Sequence, residues 1–220
     1  MTPNICVSIL PKTLVEAMKL AAKAESSNAA FIEVRLDMLD SHVDLSALRA
    51  KTTLPLIATD KAVRTETEHQ NILQNAARSG FEYVDFDLLK LKAPTVTKAV
   101  KAIGAKCIVS FHDNVNTPTT KKLETVLKKE LAYGADVCKI VTTATNNEDN
   151  LKVLNFVAAA SVKVKLVCFA MGELGKPSRI LSPLFGGFFT FASLGRGNKT
   201  APGQMTISEM KTIYKLLGFT

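Results

Sequence analysis

Strand-sized apolar runs recur along this chain at nearly even spacing, one beginning roughly every 24–30 residues. They start near Ile5, Ala30, Leu54, Glu82, Lys106, Asp136, Lys163 and Gly187. Between them apolar residues fall three and four apart, the period of one helix face. Leu14, Ala17, Met18, Ala21 and Ala22 share such a face, as do Ile72, Leu73, Ala76 and Ala77, and Leu151, Leu154 and Val157. Gly80, Gly104 and Gly134 stand where a helix gives way to the next strand, a place that wants a left-handed residue. The last helix is expected to open with Thr206 and Glu209 at capping-box spacing and to close at Gly218. Its inward stripe would be Ile207, Met210, Ile213, Tyr214 and Leu217.

Eight strands alternating with helices imply a parallel sheet, either open and doubly wound or closed into a (β/α)8 TIM barrel. Two features favour the barrel. No G-x-G-x-x-G and no P-loop follows the first strand. The strands also carry polar residues on one parity only, as a barrel lumen with a working mouth requires. Glu33, Arg35 and Asp37 alternate with Ile32, Val34 and Leu36; Asp85 and Asp87 alternate with Val84 and Phe86; Ser110 and His112 share a side. The expectation is one α/β barrel domain over residues 1–220, with functional groups at the C-terminal ends of its strands.

Composition removes several function classes. The longest apolar runs fall far short of the ~20 residues of a membrane span. The opening lacks the charged start of a signal peptide, and the apolar run at 5–10 is too short for its core, so the expected location is cytoplasmic. The net charge of +8 suits an anionic small molecule, but the lysines come in separate pairs, Lys90 and Lys92, Lys121 and Lys122, Lys128 and Lys129, expected on different elements and without interleaved aromatics. Nucleic acid is therefore not an expected partner. Cys6, Cys107, Cys138 and Cys168 each fall in an expected strand with no C-x-x-C pair. They read as buried hydrophobes, and no metal site is expected.

Within the sixth strand Lys139 interrupts an apolar run, Val137-Cys138-Lys139-Ile140-Val141. Burying an ammonium costs several kcal/mol unless it is neutral or paired. Either the side chain snorkels to water, or it serves chemistry at the mouth beside His112. A lysine there, flanked by arginines and a histidine, suits imine chemistry. Cationic neighbours and desolvation would lower its pKa from about 10.4, and the histidine would move a proton next to the imine. Glu33 would pair with Arg35 and hold it.

The ordered set Glu33-Val34-Arg35-Leu36-Asp37, Ser110-Phe111-His112-Asp113, Lys139-Ile140, Met171-Gly172 with Ser178-Arg179, and Thr190-Phe191 with Ala201-Pro202-Gly203-Gln204 resembles the motifs of type I 3-dehydroquinate dehydratase. That family comprises (β/α)8 lyases of the shikimate pathway of aromatic amino-acid biosynthesis, usually homodimers. The resemblance implies no cofactor and a small anionic substrate, 3-dehydroquinate. It makes Lys139 the Schiff-base residue and His112 the general acid and base. Arg179 would clasp the substrate carboxylate, and Glu33, Arg35 and Gln204 would bind its hydroxyls. Met171 and Phe191 would form apolar walls, Ser8 the floor, and Thr200 would replace a usual serine. A second departure follows the third strand, where the family often has Arg and then Glu-Gly-Gly, its Glu orienting the histidine. Here Ala58-Thr59-Asp60-Lys61-Ala62-Val63-Arg64-Thr65-Glu66 offers Lys61 or Arg64 for the one and Glu66 or Asp60 for the other.

Two alternatives remain at this level. A class I aldolase would also place a Schiff-base lysine in such a barrel, with Gly186-Gly187 or Gly195-Arg196-Gly197 as a phosphate cradle. A basic, anion-seeking binding protein would leave Lys139 unexplained. Residues 193–204, with Gly195, Gly197, Arg196 and Lys199, have the composition of a lid.

Overall fold

Both faces of a parallel sheet must be covered, which is why these strands read as near-continuous apolar runs and are buried along almost their whole length. In the computed structural model, which describes residues 2–40, 43–90 and 94–219, there are eight of them. They are β1 (Ile5–Ile9), β2 (Phe31–Arg35), β3 (Leu56–Thr59), β4 (Tyr83–Asp87), β5 (Lys106–His112), β6 (Val137–Thr143), β7 (Leu166–Met171) and β8 (Thr190–Ala192). The helices are α1 (Leu14–Ser26), α2 (Leu45–Arg49), α3 (Glu66–Arg78), α4 (Thr95–Ala102), α5 (Thr120–Ala132), α6 (Glu148–Ala160), α7 (Lys176–Leu181) and α8 (Ile207–Leu216). Sequential strands pair in parallel, and β1 pairs with both β2 and β8. At the remaining seam the Phe188 N–H donates to the Leu166 carbonyl at 2.8 Å, so the sheet forms a nearly closed (β/α)8 barrel.

Alternation along the strands sorts the core into an inside and an outside. Phe31, Ile57, Tyr83, Ile108, Val137, Val167 and Phe189 fill the lower lumen, with the Phe31 ring tilted against Phe189 at 4.9 Å between centres. Residues of the other parity, among them Val7, Ile32, Val34, Ala58 and Val84, pack against the helices, as do Val109, Cys138, Ile140 and Cys168 across the barrel. Two residues further along the inward parity the lumen becomes polar: Ser8, Glu33, Thr59, Asp85, Ser110 and Lys139 are all buried. The parity expected from the sequence is the one observed.

Gly80, Gly104 and Gly134 end α3, α4 and α5 with φ of 91°, 100° and 85°. The capping box of Thr206 and Glu209 opens α8. All four cysteines are free and buried. Three helix positions expected inward face solvent instead: Ala22, Leu151 and Leu217. In α6 the cause is visible. Asp149 and Asn150 turn inward to bind loop backbone, Asp149 accepting from Thr145 N–H at 2.8 Å and Asn150 donating to the Leu174 carbonyl at 2.8 Å. The apolar face thereby becomes Val153, Leu154, Phe156 and Val157, and Leu151 points out. Leu217 lies past the last turn of α8, as its cap. β7 and β8 begin at Leu166 and Thr190, later than Lys163 and Gly187, because turns occupy the intervening residues: Lys163 N–H bonds to Ala160 and Gly187 N–H to Ser182. Among the described residues no helix is long and apolar enough to cross a membrane.

Candidate active site

At the C-terminal ends of the strands the polar layer opens into a cavity of about 490 Å³. All ten residues expected at the site line it: Ser8, Glu33, Arg35, His112, Lys139, Met171, Arg179, Phe191, Thr200 and Gln204. Ser8, Glu33 and Lys139 sit within or at the middle of their strands, whereas Arg35, His112 and Met171 are the last residues of β2, β5 and β7. Equal parity on neighbouring strands, with Ser110 beside Lys139 and Glu33 beside Ser8 in register, aims them at one point.

Lys139 is buried, with its Nζ 2.7 Å from Asp85 Oδ2, 3.6 Å from Glu33 Oε1 and 4.5 Å from the centre of the Phe191 ring. This corrects the expected environment. Burial does act to lower the amine's pKa, but Asp85 and then Glu33 more than offset it and hold the pKa above the ordinary lysine value. The immediate neighbours of the ammonium are carboxylates, not arginines. Asp85 in turn accepts from Ser110 Oγ at 2.6 Å and faces Lys61 Nζ at 4.0 Å. Burial pushes its carboxyl up, and Lys139 and Lys61 together bring it well below the usual range. Sequence reasoning noted Asp85 only for its parity; that parity, shared with Lys139, was the signal for the pair.

Glu33 does not pair with Arg35. Its carboxylate accepts from Ser8 Oγ at 2.6 Å and Thr59 Oγ1 at 2.9 Å and leans toward Lys139. Arg35 is instead clasped by Asp37, which lies on a 3-10 turn beyond β2, through two bonds of 2.9 and 2.7 Å. The turn reverses the chain so that a carboxylate two residues on can reach back to the guanidinium.

His112 is partly buried, and desolvation, reinforced by Lys139 and Lys61, holds its pKa down at about 3. The imidazole is therefore neutral near pH 7 and able to accept a proton. After β3, Lys61 alone of the alternatives reaches the cavity. Arg64 and Glu66 line a neighbouring pocket of about 370 Å³. The cause is Asp60, buried at the strand end, which draws Arg64 Nε to 2.9 Å and His69 Nδ1 to 3.3 Å. Neither Glu66 nor Asp60 lines the main cavity, so neither takes the expected place beside His112.

On the opposite wall Arg179 is 1% exposed, with its Cζ 4.2 Å from the centre of the Phe169 ring. Its Nη2 makes a long 3.5 Å bond to the Pro202 carbonyl, and its Nε has no partner. Among the described residues no carboxylate pairs with it, and burial alone lowers its pKa to about 10. Gln204 accepts from Thr200 N–H at 2.6 Å, leaving its buried Nε2 without a partner. Both groups hold unspent donors at the cavity wall. The loop that carries Thr200 and Gln204 comes close because Gly203 lacks a Cβ: one built there, at φ 71°, would lie 2.1 Å from the Gly172 carbonyl oxygen. Asn114 and Thr143 also line the cavity without having been expected.

The glycines of the proposed phosphate cradle lie elsewhere; none of Gly186, Gly187, Gly195 and Gly197 lines the cavity. Among the described residues no group of three His, Cys, Asp or Glu side chains is placed to hold a metal ion.

A family model for type I 3-dehydroquinase matches residues 5–219. The chain is 37% identical to a 3-dehydroquinate dehydratase of Dehalococcoides mccartyi, over 99% of this chain and 97% of that protein. It is 34% identical to the 3-dehydroquinate dehydratase of Methanococcus maripaludis, over 97% and 99%. Among solved structures, the 3-dehydroquinate dehydratase of Geobacillus kaustophilus superposes with a TM-score of 0.88 at 23% identity, covering 98% of this chain and 91% of that one. The type I enzyme of Clostridium difficile superposes at 0.86 and 23% identity, over 98% and 92%.

Proposed function

The chain belongs to the type I 3-dehydroquinase family and acts as a 3-dehydroquinate dehydratase, and we propose that it works through a Schiff base on Lys139 with His112 as acid and base. One observation carries the reading: a buried amine, a neutral imidazole and a guanidinium that pairs with no carboxylate among the described residues all line one cavity.

The substrate carboxylate pairs with Arg179, whose burial without a counter-ion among the described residues has already removed the cost of desolvating it on binding. Lys139, once deprotonated, attacks the ketone carbon; the carbinolamine expels water and leaves an iminium joined to Nζ. The positive nitrogen acidifies the neighbouring C–H. His112 takes that proton, and the electron pair moves into the enamine. Collapse of the enamine breaks the C–O bond, and the imidazolium returns its proton to the departing hydroxyl as water. A second water hydrolyses the imine, releasing the enone and restoring the amine. Glu33, steadied by Ser8 and Thr59, together with Arg35 and Gln204 would bind substrate hydroxyls, and Met171 and Phe191 would exclude water from the imine.

Residues 193–204 act in this reading as a lid. Arg196 pairs the loop with Glu209 on α8 at 2.9 Å, and Gln204 at its far end lines the cavity. A homodimer in the cytoplasm, feeding aromatic amino-acid biosynthesis through the shikimate pathway, completes the proposal. Turnover of 3-dehydroquinate, followed through the absorbance of the conjugated product, tests it. Absence of that absorbance at micromolar enzyme would reject it.

A further inference from the structure

The Schiff-base reading creates a difficulty at Lys139. An amine must be neutral to attack a ketone, yet this one is buried in an ion pair with a fully buried aspartate. Taking its proton away would strand the charge of Asp85 in the lumen. Among the described residues, the groups that act on that carboxylate or on its lysine come from several elements. From β1 comes the thiol of Cys6 and from α5 the buried carboxyl of Glu130, both with pKa values pushed up by burial. From β2 come Glu33 and Arg35, the latter held by Asp37; from β5 come Ser110 and His112; from β6 comes Lys139; and from the turn after β3 comes Lys61.

Lys61 stands out among them. Its Nζ faces Oδ1 of Asp85 at 4.0 Å, while Lys139 holds Oδ2 at 2.7 Å, so the two lysines approach opposite oxygens of one carboxylate. The side chain is 27% exposed, which leaves it hydrated and able to move by the small distance that separates a long ion pair from a hydrogen bond. It also lines the cavity in which the reaction runs.

We propose that Lys61 is the residue that releases Lys139: it takes over Asp85 as Lys139 gives up its proton to solvent through the open mouth. Asp85 remains anionic throughout, and its partner changes from the Lys139 ammonium to that of Lys61. The carboxylate is then balanced while Lys139 is free to form the imine, and it can reclaim the amine after hydrolysis. Lys61 acts through Asp85 and is a positioning residue. This inference rests on Lys139 being the nucleophile.

The test is the acid limb of kcat/KM against pH, measured with 3-dehydroquinate for the wild type, Lys61→Met and Lys61→Arg. Without the cation, Asp85 holds Lys139 more firmly, and the imidazole of His112 loses a neighbouring positive charge. Both changes move the limb to higher pH. Lys61→Met should shift it by about one unit, a roughly tenfold loss of activity at any pH on the limb. Lys61→Arg, which keeps the charge, should restore the wild-type position. If the methionine variant fails to fold, Lys61→Gln carries the same expectation. A limb that stays in place while KM alone rises would overturn the proposal and make Lys61 an ordinary substrate contact. Borohydride trapping on the wild type keeps the two ideas apart. An adduct on Lys139 with an unmoved limb removes only the role of Lys61, whereas no adduct on Lys139 removes both.

Discussion

Replacing Arg179 with methionine should make the free protein more stable and the enzyme worse at holding its substrate. The guanidinium is buried with an unpartnered Nε, one long bond to the Pro202 carbonyl, and the face of Phe169 as its chief support. Losing that cation–π contact and the weak hydrogen bond costs about 2–3 kcal/mol. Against this, an uncompensated buried cation costs several kcal/mol to desolvate, and methionine fills similar space at no such cost. The net gain is about 1–2 kcal/mol, or roughly 2–8 °C in melting temperature for a chain of this size. The substrate carboxylate loses a charge-assisted contact worth about 1.5–3 kcal/mol, so KM should rise roughly 10- to 150-fold with little change in kcat. Thermal melts without ligand and steady-state kinetics on the same preparation read both quantities. An unchanged KM would move the carboxylate elsewhere, with Lys61 the next cation in the cavity. A melting temperature lowered by several degrees would make Arg179 a structural residue and refute the idea that it is held in reserve for a ligand.

Substitution of His112 by alanine should slow turnover by roughly 10²–10⁴ while leaving the adduct on Lys139 trappable; a loss below about tenfold would remove it as acid and base. The same side chain makes the fold acid-sensitive. Its pKa falls from about 6.5 in the unfolded chain to about 3 when folded, so between those values the unfolded state binds a proton that the folded state refuses, and stability drops as pH falls. His112→Asn should flatten the decline of the urea midpoint between pH 6 and about 4; an equally steep decline would contradict this. For the lid, trypsin should cut at Arg196 or Lys199 in the free protein and much more slowly with product bound, and Gln204→Ala should weaken that protection without changing the melting temperature. Equal cleavage in both states would leave residues 193–204 without a closing role.

The sequence made the barrel and the contents of its mouth legible for one physical reason. A period of two along strands and 3.6 along helices fixes which strand residues share the mouth, Glu33, Arg35, His112 and Lys139 among them, whereas Ser8, Arg179 and Gln204 rested on the family resemblance. What it concealed were the partners inside that space. Lys139 was expected among cations because Arg35 and Arg179 share its cavity, but strand register brings the short side chain of Asp85 into contact while the arginines find other support. Glu33 and Arg35, adjacent on one parity, were expected to pair; a 3-10 turn, which periodicity does not reveal, delivers Asp37 instead. Leu151 misled for a similar reason, since two polar neighbours claimed the inward positions to bind loop backbone. The choice of Lys61 over Arg64 depended on buried Asp60, whose hold on Arg64 is a matter of loop geometry.

The central claim is a covalent bond between substrate and Lys139. Borohydride added during turnover of 3-dehydroquinate should reduce the imine to a stable amine, leaving one substrate-derived mass on the peptide that contains Lys139. The adduct should be absent from Lys139→Ala. An active enzyme that gives no adduct, or an adduct on Lys61 or any other lysine, would contradict the account.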